Sequence, residues 1–351
     1  MKKHLVAAGV GVIALSSVGS AQANNCPVGG NPNTVSGAQA NLVHDACLQG
    51  VDLFQMMAPQ LGVALAGGNA TLGQGGAMGG LGHFSVGIRG NVFSGDLPQV
   101  QQFPAPRNQT NPAPEPLPSK KNILGLPVVD GAFGLFKGIP LGLTNVGGID
   151  ALVSVAYVPT IGDSTSDVSI KPQTSIKWGY GARIGIIQES LVLPGVAVTY
   201  IKRDLPTTDI VGNSSQVNIQ VTNADVKTSA WRLVASKSFI VFGLAGGVGQ
   251  DKYDMSTTVG GTVKSQSVTV NGFPVQSGNV TIPNISLAQD VTRTNLFLDL
   301  SLNLPIFKLV IEGGQVSGAS PASAITTTNT FSSGKADDSR TYGSVGLRFA
   351  W

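Results

Sequence analysis

Tyr342-Gly343-Ser344-Val345-Gly346-Leu347-Arg348-Phe349-Ala350-Trp351 closes the chain and alternates without a break. Gly343, Val345, Leu347, Phe349 and Trp351 fall on one side; Tyr342, Ser344, Gly346, Arg348 and Ala350 fall on the other. Side chains along a strand point to opposite faces in turn, so this stretch reads as a strand with one greasy and one polar face. The pattern recurs upstream. Leu296, Leu298, Leu300, Leu302 and Leu304 oppose Arg293, Asn295, Asp299, Ser301 and Asn303, with Phe297 out of step. Phe84, Val86, Ile88 and Val92 oppose Ser85, Gly87, Arg89 and Asn91; Ile176, Trp178, Tyr180, Ala182, Ile184 and Ile186 oppose Lys177, Gly179, Gly181, Arg183 and Gly185. A helix would scatter those apolar side chains around its axis.

Weaker versions at 126–137, 147–158, 194–203, 225–237, 239–251 and 306–317 bring the total to about ten strands, or twelve if the links at 204–224 and 252–287 conceal a hairpin. Counting back from the terminal strand, the links alternate long and short. Residues 318–338, 252–287, 204–224, 159–174 and 95–125 are the longer ones; Pro305, Lys237-Ser238, 188–193 and 138–146 mark the shorter ones. One-sided loop length of this kind is the asymmetry of an up-and-down transmembrane β-barrel, with long extracellular loops and short periplasmic turns. Charged residues make up only 12% of the chain, about half the usual share, and glycine supplies 46 of 351 residues. A chain that meets lipid with alternate residues has that composition. The barrel must close, because hydrocarbon offers an open strand edge no hydrogen-bond partner.

The start of the chain reads as an export signal. Lys2 and Lys3 precede an apolar stretch from Leu5 to Val18, and Ala21-Gln22-Ala23 is a small-x-small cleavage site. Residues 1–23 are therefore set aside as a signal peptide. Cys26 and Cys47 are the two cysteines, and in an oxidising periplasm they are expected to pair. Residues 24–82 form a segment of their own. From about Ser36 to Leu65, Val43, Cys47, Phe54, Met57, Leu61 and Ala64 share a helical face, with Pro59 expected to kink or divide the helix. Gly67 to Gly82 then makes a glycine-rich joint to the barrel at 83–351. The helix either lies in the periplasm or plugs the lumen. Glycines on lumen-facing positions (Gly87, Gly179, Gly181, Gly185, Gly243, Gly247) would make room for a plug, or relieve curvature in a strongly bent sheet.

With these residues in hand, the C-terminus resembles the last strand of bacterial outer-membrane barrels, which ends polar-x-Gly-x-x-aromatic-x-aromatic. Ser344, Gly346, Phe349 and Trp351 match that pattern. The resemblance implies an address read by the barrel-assembly machinery. A looser similarity, to the long-chain fatty-acid transporter family, rests on the segment ahead of the barrel, on Trp178-Gly179-Tyr180-Gly181 and on the terminal aromatic. This chain carries fewer strands than that family.

Chemistry is sparse. The three histidines are His4 in the signal, His44 on the helix and His83 at the first strand. No triad or zinc site can be assembled from them, so no enzyme, metal or cofactor is expected. A net charge of +3 without a basic cluster points away from nucleic acid. The charged residues expected to line the lumen are Arg89, Lys177, Arg183, Arg232, Arg293, Asp299, Lys308, Glu312, Arg340 and Arg348. In a narrow barrel they either pair into a filled polar core or form a cationic path. Two functions follow. One is passive transport of a small hydrophobic or anionic solute, gated by the N-terminal segment. The other is a structural or surface-adhesion barrel acting through its long loops. Both place the chain in the outer membrane among lipid and lipopolysaccharide.

Overall fold

A computed structural model describes residues 26–160, 162, 168–318 and 329–351; the signal peptide read at 1–23 lies outside the described residues. Ten strands form the wall: β1 (Phe84–Pro98), β2 (Ser119–Phe136), β3 (Gly148–Tyr157), β4 (Ile176–Ile187), β5 (Gly195–Asp204), β6 (Val217–Ser238), β7 (Phe242–Val263), β8 (Val280–Asn303), β9 (Lys308–Val316) and β10 (Arg340–Ala350). Each pairs antiparallel with its neighbours in the chain. β1 also pairs with β10, from Ser85 opposite Ala350 to Phe93 opposite Tyr342. The ring is closed and has no edge.

The ring holds ten strands rather than twelve. The two long links do contain extended structure, Thr208–Asn213 in one and a Ser267–Val270/Phe273–Gln276 hairpin in the other, but neither enters the ring. About half of their length belongs instead to β6, β7 and β8, which run 22, 22 and 24 residues. At about 3.3 Å per residue and a tilt near 40°, β8 stands roughly 60 Å high, more than twice a lipid-facing band of about 25 Å.

The alternation inverts along these tall strands. Below a line through Trp231, Gln250 and Thr294, which are neighbours in register, the outward residues are Leu233, Leu244, Val248, Leu296, Leu298 and Leu300. Above that line the outward residues are Lys227, Lys252, Asp254, Ser256, Thr292 and Asp290, while Val221, Val226, Tyr253, Met255, Ile285 and Leu287 turn inward and are buried. Hydrocarbon sets the lower pattern. Water outside and an apolar filling inside set the upper one.

The filling is α1 (Val35–Ala66), 32 residues and about 48 Å long. Thr34 starts it, its hydroxyl accepting the Gly37 N–H at 3.1 Å. Pro59 neither divides nor ends it. Tertiary packing on all sides holds the turn, and the Gln60 side-chain amide donates to the Met56 carbonyl at 2.9 Å. α1 lies inside the ring against β1, β6, β7 and β8. Cys26 and Cys47 are joined by a disulfide near its upper end.

Leu300→Arg, facing outward near the middle of the band, is expected to lower barrel stability in lipid by about 2–4 kcal/mol, and Thr292→Arg, on the same face above the band, by about 0–1 kcal/mol. Reversible denaturant unfolding in vesicles measures both; equal effects would contradict the placement of the band.

Candidate functional site

The lower end of α1 reaches the middle of the lumen, where its last carbonyls have no intrahelical partners. The wall supplies them. Asn91 Nδ2 donates to Ala64 O at 3.2 Å, Arg203 Nη1 to Ala66 O at 2.7 Å, and Arg232 Nη2 and Asn295 Nδ2 to Gly67 O at 3.0 and 3.1 Å. Carboxylates hold the guanidiniums in place. Asp130 bridges Arg89 and Arg203, each at 3.0 Å, and Asp251 holds Arg232 at 2.5 Å. Three cations face two anions, and the surplus positive charge meets the roughly half-unit negative end of the helix dipole.

Below this ring the balance reverses. Gly67 turns the chain with a φ of 56°, a left-handed conformation that suits glycine. The segment then descends as irregular backbone whose amides need acceptors. Glu312 accepts from the Asn69 N–H at 2.7 Å, Asp299 from the Gly73 N–H at 2.9 Å, and Asp150 from the Met78 N–H at 3.1 Å. Asp150 also pairs with Arg183 at 2.7 Å, while Arg348 donates to Leu72 O at 2.7 Å. Wall glycines make room here: a Cβ at Gly185 would lie 2.9 Å from that of Ala77, and one at Gly148 2.8 Å from it. Gly179 and Gly181 differ, since a Cβ on either would meet the backbone of β5. Both readings of the glycines therefore hold, at different positions.

The upper end of α1 is roofed by the loops. Asp45 receives Arg107 through its backbone N–H at 2.8 Å and its guanidinium at 3.1 Å, and Glu115 flanks Arg107 at 3.4 Å. Burial pushes the Glu115 carboxyl above its ordinary range, and the hydrogen bond to Asp45 raises the Arg107 guanidinium. Asp52 accepts the Asn329 N–H at 3.0 Å. Arg340 pairs with Asp96, and Arg293 donates to the carbonyls of Ser317, Ala336 and Asp338, each at 2.8 Å.

Of the charged residues expected in the lumen, Arg89, Arg183, Arg232, Arg293, Asp299, Glu312, Arg340 and Arg348 are buried against the filling or its roof. Lys177 and Lys308 are half-buried at the upper and lower ends of the wall. Arg203 and Asp251 stand outside that charged set, while Asn91 and Asn295, on the polar strand faces by their alternation, join Arg203 and Arg232 in receiving the helix end. Strand parity pointed Arg203 and Asp251 inward, but each stands where the apolar alternation fades. Ser344 and Gly346 face the lumen, Gly346 under Leu72; Phe349 and Trp351 face outward and stack with centroids 6.2 Å apart, and Phe84 stacks on Trp351 at 4.9 Å.

A closed antiparallel ring with a greasy exterior and its own N-terminal segment inside is a bacterial outer-membrane β-barrel in plan. No family model matches the sequence, and no curated protein matches it either. Among solved structures it is similar to the toluene transporter TodX of Pseudomonas putida, at 9% identity and a TM-score of 0.30, over 76% of this chain and 67% of that one. The toluene transporter TbuX of Ralstonia pickettii matches at 12% identity and 0.25, over 82% and 96% of the two chains. Ail, the attachment invasion locus protein of Yersinia pestis, matches at 11% identity and 0.21, over 77% and 99%. Scores this low do not align strand with strand, and the barrel assignment rests on the ring itself. Likeness to the fatty-acid transporter family is loose.

Arg203→Ala strips Ala66 O of its donor and leaves buried Asp130 with one of its two cations. The expected cost is about 3–5 kcal/mol, as for breaking a buried pair. It would be read as a lower unfolding midpoint together with faster proteolysis within 26–66; a variant as stable and resistant as the parent would refute the anchoring role.

Proposed function

We propose that this chain is a plugged outer-membrane barrel for passive entry of a small hydrophobic solute, with residues 26–82 as the movable seal. The carrying observation is the division of the interior at Gly67. Above it, Phe93, Ile219, Val221, Tyr253, Met255 and Val259 of the wall surround Phe54, Met56 and Leu65 of α1. Withdrawal of a helix from that space would open an apolar shaft about 10 Å wide. Below it, the seal is polar and held largely through backbone groups, which rearrange without moving large side chains.

An anionic solute fits less well. Arg89, Arg183, Arg203, Arg232 and Arg340 are paired with carboxylates, and Arg293 and Arg348 bond to carbonyls of the chain. In this reading residues 1–23 export the chain and are cleaved. The assembly machinery reads Ser344, Gly346, Phe349 and Trp351, and lipopolysaccharide surrounds the long-loop end. The alternative is a structural or adhesion barrel with a permanent filling. Direct bonding of the roof to α1, through Arg107 to Asp45 and Asn329 to Asp52, favours it.

A disulfide lock separates the two. A Cβ at Gly50 would lie 2.7 Å from Val259 Cγ1, so Gly50→Cys with Val259→Cys ties α1 to β7. In a Cys26→Ser, Cys47→Ser background, oxidation is expected to abolish uptake of an apolar tracer such as toluene into vesicles, and reductant to restore it. Uptake unchanged by the lock, or absent from the unlocked barrel and from one lacking residues 26–66, would remove the transport reading. Planar-bilayer conductance is expected to be steady only after that deletion.

A further inference from the structure

The four short turns at the lower mouth carry unusual sequences. Their apolar stretches read Gly138-Ile139-Pro140-Leu141-Gly142-Leu143, Leu191-Val192-Leu193-Pro194, Phe239-Ile240-Val241-Phe242 and Leu304-Pro305-Ile306-Phe307, with the charged residues Lys137, Glu189, Lys237 and Lys308 standing beside them. Their side chains point away from the protein: Ile240 is 97% exposed, Leu191 95%, Leu143 76% and Ile306 74%. A periplasmic turn bathed in water has no reason to be apolar four times over, and exposed greasy patches of this size mark a contact surface.

The turn backbones point to the same environment. Hydrocarbon tolerates irregular backbone only where its polar groups are satisfied within the protein. Lys237 stands on the outward face of β6, yet its ammonium folds back onto Ser190 O, Leu191 O and Leu193 O at 2.6, 2.8 and 3.4 Å. Asn303 Nδ2 donates to Phe239 O at 2.8 Å and its N–H to Val241 O at 2.7 Å. Glu189 accepts the Ser238 N–H at 2.5 Å, and Leu304 N–H donates to Phe307 O at 3.0 Å.

Continuity decides what covers the rim. The outward residues above the turns are themselves apolar, Phe242 and Leu244 on β7 and Leu302 and Leu304 at the foot of β8, so the rim and the lipid-facing band form one unbroken greasy surface. Measured from the line through Trp231 and Thr294, the strands run seven residues to Ser238 and nine to Asn303, about 18 and 23 Å of height, against a band of about 25 Å.

We infer that the lower rim, Ile139 to Leu143, Leu191, Val192, Phe239 to Val241 and Ile306, is immersed in the acyl chains of the inner leaflet. The inference rests on the reading of the chain as a membrane barrel and deepens its transport role. A cavity of about 330 Å³ at this mouth, lined by Gln74, Met78, His83, Lys308 and Arg348 among others, then opens among lipid headgroups. Solute leaving the seal meets lipid before bulk water.

Nitroxide labels on single cysteines test this in the full mature chain, refolded in phosphatidylethanolamine–phosphatidylglycerol vesicles; the native cysteines are disulfide-bonded and do not label. Ile240→Cys and Leu191→Cys probe the rim, Leu300→Cys the band, and Asn271→Cys the upper hairpin. The rim labels are expected to lose collision with a water-soluble nickel relaxer and to keep collision with oxygen, as at Leu300. Nickel access at the rim equal to that at Asn271, with Leu300 still shielded, overturns the inference alone. Shielding from both relaxers shows a protein partner or second copy on the rim, and also overturns it. Nickel access at Leu300 sinks the membrane-barrel reading and the inference together.

Discussion

A peptide group facing hydrocarbon must find its hydrogen-bond partner within the protein, and in a sheet that requirement is met everywhere only if the sheet has no edge. The pairing of Ser85–Phe93 with Tyr342–Ala350 meets it here. Closure also fixes which way each side chain points, and so creates an inside that no lipid reaches. A ring of ten strands is wide enough to accept a helix, so it encloses more space than its own side chains need. The chain's own N-terminal segment fills that space, and most of the buried chemistry exists because the segment carries unpaired peptide groups of its own.

The wall answers those groups by sign. Where α1 ends, the helix presents carbonyls, and Asn91, Arg203, Arg232 and Asn295 present donors. Where irregular chain follows, the exposed groups are amides, and Asp150, Asp299 and Glu312 present acceptors. Neither layer would be stable unaccompanied, since a buried charge without a partner is costly. Each carboxylate of the upper layer therefore doubles as the counter-ion that holds a guanidinium in position. The density of charge inside the barrel is thus a consequence of what fills it, and is no measure of an ionic conduit.

Legibility in the sequence followed the lipid. Strands were readable wherever hydrocarbon forced a greasy outward face, as in Leu296–Leu304 and Gly343–Trp351, and the order of short and long links came out correctly. Reading stopped where the lipid stops. The overhangs of β6, β7 and β8 carry Lys252, Asp254 and Ser256 outward and Tyr253, Met255 and Val259 inward, a pattern inverted relative to the band below. Read with a single polarity, that inversion looks like a loop rich in threonine and valine. Arg203 and Asp251 stand near the crossover, which hid one donor to the helix end and the counter-ion of another. The helix itself was readable from its period; its place in the lumen was not, because the residues that receive its end are scattered over four strands, β1, β5, β6 and β8.

The course of residues 26–82 has a further consequence. Cys26 lies with the long loops, yet the segment joins the wall at Phe84, at the opposite mouth, so it traverses the ring from top to bottom. Loops bonded to α1 close the upper mouth, while the lower end of the segment is joined covalently to the wall at Phe84. A helix displaced from the ring would therefore stay leashed to β1, so that the stopper and its seat belong to one molecule and reclosure needs no encounter in solution.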